Sequence, residues 1–81
     1  MKYSITEKFD KSIKNFPAGL KKKFAKQLKY LLADIRHPSL HAKKYDEAEN
    51  IWQARADRDV RFYFKIKGDV YILLDILKHP K

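Results

Sequence analysis

Arg55, Arg61 and His79, in the last third of this 81-residue chain, have the chemistry to handle a phosphodiester. A guanidinium is permanently charged and offers paired donors matched to phosphate oxygens. An imidazole, with an unperturbed pKa of about 6.5, exchanges protons at neutral pH. Whether the three act together depends on the faces they occupy. From Val60 to Ile66 the residues Val60, Phe62, Phe64 and Ile66 alternate with Arg61, Tyr63 and Lys65, the period of a half-buried antiparallel strand.

Two turns set the registers. A turn at Asp57-Arg58-Asp59 places Ala56 against Val60, Ala54 against Phe62, Trp52 against Phe64 and Arg55 against Arg61. A three-residue hairpin loop at Lys67-Gly68-Asp69, with Gly68 supplying a positive φ, places Ile66 against Val70, Phe64 against Ile72, Phe62 against Leu74 and Arg61 against Asp75. The expected result is a row of Arg55, Arg61 and Asp75 beside a row of Gln53, Tyr63 and Leu73. Directly opposed arginines repel. Two accounts of them stay open: Asp75 pairs with Arg61 while solvent screens Arg55, or the cluster awaits a phosphate. His79 alternates with Asp75 and so shares this face. Tyr63 and Tyr71 are expected there too, either stacking a nucleobase or only flanking the core.

The elements that must hold this face follow from the earlier residues. Lys2 to Ile5 starts a strand, and Thr6 caps a short helix carrying Phe9, Ile13 and Phe16, which Pro17 ends. Leu20, Phe24, Leu28, Leu31 or Leu32, and Ile35 continue the helical period, with Lys21, Lys22, Lys23, Lys26 and Lys29 on the outer faces, until His37-Pro38. The predicted fold class is α+β in the order βααβββ, a helical hairpin packed on one face of a small, mostly antiparallel sheet, forming one domain over residues 1–81. The helices are expected to cover Trp52, Phe62, Phe64, Ile72 and Leu74. Residues 39–50 show no period and read as a connection, first basic and then acidic.

Charge and composition narrow the function classes. Residues 1–45 hold twelve Lys or Arg against three acids, a net +9, while the remaining 36 hold seven of each. That asymmetry favours a polyanionic or acidic partner, and a solvated lysine-rich helix face is the plain alternative. With no cysteine there is no thiolate zinc site, and His37, His41 and His79 lack metal-ligand spacing, so neither metal nor cofactor is expected. No apolar run is long enough to span a bilayer, no signal-peptide pattern opens the chain, and a cytoplasmic protein is expected.

Taken in order, several segments resemble the RelE/ParE superfamily of bacterial toxins from toxin–antitoxin modules. They are Phe9 with Lys11, the basic helical hairpin, Leu40-His41-Ala42-Lys43-Lys44-Tyr45, Ile51-Trp52-Gln53-Ala54-Arg55, Val60-Arg61-Phe62-Tyr63-Phe64, and a last strand closing on His79. The resemblance implies a sheet covered by helices on one face, a cleft on the other, and neutralisation by a cognate antitoxin. It implies either metal-independent cleavage of messenger RNA at the ribosome or, for ParE-like members, inhibition of DNA gyrase. A non-catalytic, RNA-binding member is the third reading. Arg61, Arg55 and His79 stand at the positions it makes catalytic, and Lys43, Lys44, His41, Tyr63, Lys65 and Tyr71 at an RNA-binding border. Two departures weigh against catalysis. Ile51 and Gln53 replace the Lys-x-Lys pair of the best-known RelE members, and His79-Pro80-Lys81 replaces an ending with His-Arg and a later tyrosine, with no C-terminal helix.

Overall fold

The structure, a computed structural model, describes residues 1–79. Strand β1 (Lys2–Ile5) leads into helices α1 (Glu7–Lys14) and α2 (Ala18–Ala33), and a 3-10 turn (Pro38–Leu40) leads into β2 (Lys43–Asp46), β3 (Ile51–Asp57), β4 (Val60–Lys67) and β5 (Val70–Lys78). The sheet runs in the order β1-β5-β4-β3-β2. β1 is parallel to β5 and every other pairing is antiparallel.

The α+β helical hairpin on a sheet agrees with the sequence reading, with one strand added. β2 lies within the expected connection, pairing Lys43 with Gln53 and Lys44 with Trp52 before a bulge shifts it to Asp46 opposite Ile51. Four residues interrupted by a bulge leave too little alternation to read, and lysines suit an edge strand that must resist further pairing.

Thr6 caps α1, its hydroxyl accepting from the Phe9 amide at 3.1 Å while donating to the Leu74 carbonyl at 2.9 Å. The same residue thus starts the helix and fastens it to β5. The core between helices and sheet is an aromatic chain. Phe9 lies 5.3 Å from Phe24, Phe24 meets Phe62 edge-on at 5.1 Å, and Phe64 meets Tyr71 edge-on at 5.5 Å. Edge-to-face contact suits the ring quadrupoles and adds to the burial of large apolar area.

The β3–β4 register follows the expected pairs, Trp52 with Phe64, Ala54 with Phe62 and Arg55 with Arg61. At the turn end Asp57 rather than Ala56 pairs with Val60, because the strand bulges there. β5 corrects the sequence reading. Its hairpin loop holds two residues, Gly68 at φ 61° and Asp69, so Lys67 pairs with Val70 and Phe64 with Leu73. A slip of one residue turns every side chain over. Tyr71 and Leu73 are therefore buried beneath the helices, whereas Ile72, opposite Lys65, and Leu74 are only half-buried. A bulge at Leu74 then resets the strand, placing Asp75 opposite Tyr63, Ile76 opposite Phe62 and Leu77 opposite Arg61. Trp52, expected in the core, packs half-buried against its margin, 6.3 Å from Phe64.

Candidate functional site

The face of the sheet away from the helices carries the odd-numbered side chains of β3 and β4. Arg55 and Arg61 lie directly opposite each other, and Gln53 pairs with Lys43 on β2 in the neighbouring row. His41 enters from the end of the 3-10 turn and His79 from the end of β5. Together with Ala42, these six side chains line a cleft of about 320 Å³. Three are permanent or near-permanent cations, two are imidazoles, and among the described residues no carboxylate lines the cleft. Concentrated positive charge of this kind favours an anionic group such as phosphate.

Backbone contacts place the residues that line the cleft. Arg61 Nη1 donates to the carbonyls of Asp57 and Arg58, each at 3.0 Å, and of Val60 at 3.2 Å, which draws its guanidinium toward the β3–β4 turn. Among the described residues the Arg55 side chain has no hydrogen-bond or ion-pair partner. Its carbonyl accepts from Gln27 Nε2 at 3.0 Å, and the same nitrogen donates to the Ser39 carbonyl at 3.0 Å, tying α2 to both β3 and the 3-10 turn. His41 sits at φ 47° as the left-handed cap of that turn. The His79 amide donates to the Asp59 carbonyl at 2.7 Å, fixing the end of β5 beside the β3–β4 turn.

The structure gathers Arg55, Arg61 and His79 with His41 and Lys43, and leaves four expected neighbours outside. Lys44 turns to the other face, its ammonium 5.3 Å from the Trp52 ring and bonded to Asn50 Oδ1. Lys65 is on the uncovered face but pairs with Glu49 at 3.9 Å, away from the cleft. Tyr63 lies one row over, accepting from Gln53 Nε2 at 3.1 Å and meeting Tyr45 edge-on at 4.9 Å. Tyr71 is a correction. The shifted β5 register buries it to 4% exposure under the helices, and burial, followed by the charge of Asp34, raises its phenol above the ordinary value.

Asp75 is also corrected. It faces Tyr63 rather than Arg61, accepts from the Ser12 hydroxyl at 2.6 Å, and pairs with Lys8 at 3.5 Å. The carboxylate thus belongs to the α1 attachment, and the account in which it neutralises Arg61 falls. Beside the cationic cleft runs a groove of about 450 Å³, bordered mainly by Tyr45, Ile51, Tyr63, Leu74 and Leu77. Gln53 links the two, lining the cleft while bonding Tyr63. Sequence reasoning placed Gln53 beside the arginine row but gave it no role, and missed Gln27, because an amide carries no charge pattern. Their signal is burial of a polar group, which appears only in three dimensions.

Of the His79-Pro80-Lys81 ending that departs from the family pattern, Pro80 and Lys81 lie outside the described residues. Among the described residues, no three His, Asp or Glu side chains converge as a metal-ligand set. No helix among them is long and apolar enough to cross a membrane.

No family model matches the chain, and no curated protein matches it in sequence. Solved structures do match it in fold. The archaeal RelE-RelB complex from Pyrococcus horikoshii OT3 superposes with a TM-score of 0.81 at 14% identity, over 99% of this chain and 96% of that one. The YoeB-YefM toxin-antitoxin complex from Staphylococcus aureus gives 0.80 at 12% identity, over 99% and 98% of the two chains. A YoeB/ParE toxin from Agrobacterium tumefaciens gives 0.79 at 14% identity, over 99% and 100%. The chain has the fold of RelE- and YoeB/ParE-type toxins.

Proposed function

We propose that this protein is the toxin of a toxin–antitoxin module and a metal-independent endoribonuclease acting on messenger RNA at the ribosome. The observation that carries this reading is the meeting of Arg55, Arg61, Lys43, His41 and His79 in one cleft on the uncovered face. RNA supplies its own nucleophile, the 2′-hydroxyl, so the protein needs to orient the chain, move protons and stabilise the phosphorane. Arg55, whose side chain has no polar partner among the described residues, takes a non-bridging oxygen of the scissile phosphate. Arg61, whose Nη1 is committed to the turn, offers its remaining donors to the same group or the next one. Stabilising charge that develops only in the transition state is commonly the largest catalytic term, and losing one such donor costs about 10²–10³ in rate. His79 gives or takes a proton in the reaction.

The departure at Ile51 and Gln53 is offset in part by β2. Lys43, cross-strand from Gln53, brings an ammonium into the cleft from the neighbouring strand. An antitoxin is the expected protein partner, since solved complexes of this fold pair a toxin with one. Primer extension on messenger RNA after induction tests the reading, with new 5′ ends expected within coding sequence.

A gyrase-binding toxin is the second reading, favoured by the apolar groove beside the cleft, which suits a protein surface better than a phosphate chain. Intact messenger RNA together with loss of supercoiling activity is its signature.

A further inference from the structure

Cleavage of RNA by its own 2′-hydroxyl needs two proton movements, one off the attacking oxygen and one onto the departing 5′-oxygen. The cleft is lined by two histidines, His41 and His79, from segments 38 residues apart in the chain. The other charged groups on it are Lys43 from β2, Arg55 from β3 and Arg61 from β4. Of these five side chains, only the imidazoles carry ring nitrogens that can serve both as proton acceptor and as proton donor.

Both rings are exposed, and each is placed by its backbone. The 3-10 turn before His41 is anchored by fully buried Leu40, and His41 itself holds φ 47°. That left-handed conformation is uncommon outside glycine, and backbone strain of this kind collects at functional sites. His79 is held by its amide bond to the Asp59 carbonyl.

We infer that His41 and His79 form an acid–base pair, giving His41 a catalytic role in the RNA-cleavage reading on which this inference rests. One imidazole, neutral, takes the 2′-hydroxyl proton as O2′ bonds to phosphorus. The other, as imidazolium, gives its proton to O5′ as the P–O5′ bond breaks. The products are a 2′,3′-cyclic phosphate and a 5′-hydroxyl, and the two rings end with exchanged protonation states. No oxidant, reductant or further co-reactant enters the balance. Arg55 and Arg61 hold the phosphorane throughout.

Single-turnover cleavage of ribosome-bound messenger RNA tests the pair, using the parent, His41→Asn and His79→Asn. Asparagine tolerates the left-handed conformation, so His41→Asn preserves the turn, and thermal melts check the fold. Each variant is expected to cut about 10²–10⁴-fold more slowly. The same messenger RNA is then made with a bridging 5′-sulfur at the cut linkage. A thiolate leaves without a proton, so the variant lacking the acid recovers near-parental speed and the variant lacking the base stays slow. Recovery of one variant alone identifies the acid and supports the pair. His41→Asn cutting at the parental rate, or sulfur rescue of both variants or of neither, overturns the pair while RNA cleavage stands. A parent that leaves the RNA whole overturns the cleavage reading as well.

Discussion

At the residue scale, the two central arginines divide their labour unequally. Arg61 stitches the β3–β4 turn through three carbonyls, whereas Arg55 makes no polar contact with its side chain among the described residues. Arg55→Ala should therefore leave the melting temperature within about 2 °C of the parent while cutting cleavage about 10²–10³-fold. Arg61→Ala should lose activity to a similar extent and also destabilise by about 1 kcal/mol, a melting shift of roughly 4–8 °C, since hydrogen bonds from a half-exposed cation are lost. Equal melting temperatures for the two variants would contradict the turn-stitching role.

Tyr71 carries a pH prediction. Its folded pKa is raised above the unfolded value of about 10, so its contribution to stability is fully present below that value and is lost as pH rises through the folded pKa. Urea midpoints measured between pH 8 and 11 should fall at the alkaline end, and Tyr71→Phe should flatten that fall. The pairing of Arg55 with Arg61 was legible from alternation together with the turn at Asp57-Arg58-Asp59. The loss of Asp75 from their row was not, because Ser12 and Lys8 claim it from a helix distant in sequence.

At the element scale, legibility followed the strength of alternation. β4 alternates apolar and polar side chains without a break, so its pairing with β3 could be read directly. Val70 to Leu77 is apolar at every position except Asp75, which leaves no polar face to choose a register. Loop length and the Leu74 bulge decide it instead, and neither is marked by a residue type. Gly68, at φ 61° with open space around its α-carbon, should tolerate alanine sterically but pay the left-handed backbone penalty. Gly68→Ala is expected to destabilise by about 1–2 kcal/mol in urea titrations, and Gly68→Asn by less. Gln27 clamps α2 to the cleft's frame through two carbonyls. Its replacement by alanine should cost about 1–3 kcal/mol and slow cleavage, although Gln27 does not line the cleft. A destabilised Gln27→Ala protein with parental activity would show that the clamp does not position Arg55.

At the scale of the whole molecule, a one-sided charge distribution meets a one-sided fold. The lysines of α2 cover the outside of the helical layer, and Arg55, Arg61, His41 and His79 line the cleft on the uncovered sheet face, so cations flank the core on both sides. Removing counter-ions from RNA as these cations bind should make association steeply salt-dependent, with a slope of about −0.7 per phosphate contacted on single strands. Binding to ribosomes that stays constant from low to high salt would contradict that. Phe62→Ala, which empties the centre of the aromatic chain, should cost about 3–5 kcal/mol, enough to unfold a domain of this size.

The central claim is that the cationic cleft on the uncovered face cuts RNA, and one comparison bears on it most directly. Purified parent and Arg55→Ala protein, shown by melting to be equally folded, are each given messenger RNA on programmed ribosomes and the single-turnover rate of cutting is measured. The parent should generate defined new 5′ ends, and Arg55→Ala should do so at least about 10²-fold more slowly. Equal rates for the two proteins, or RNA left intact by the parent, would contradict the claim.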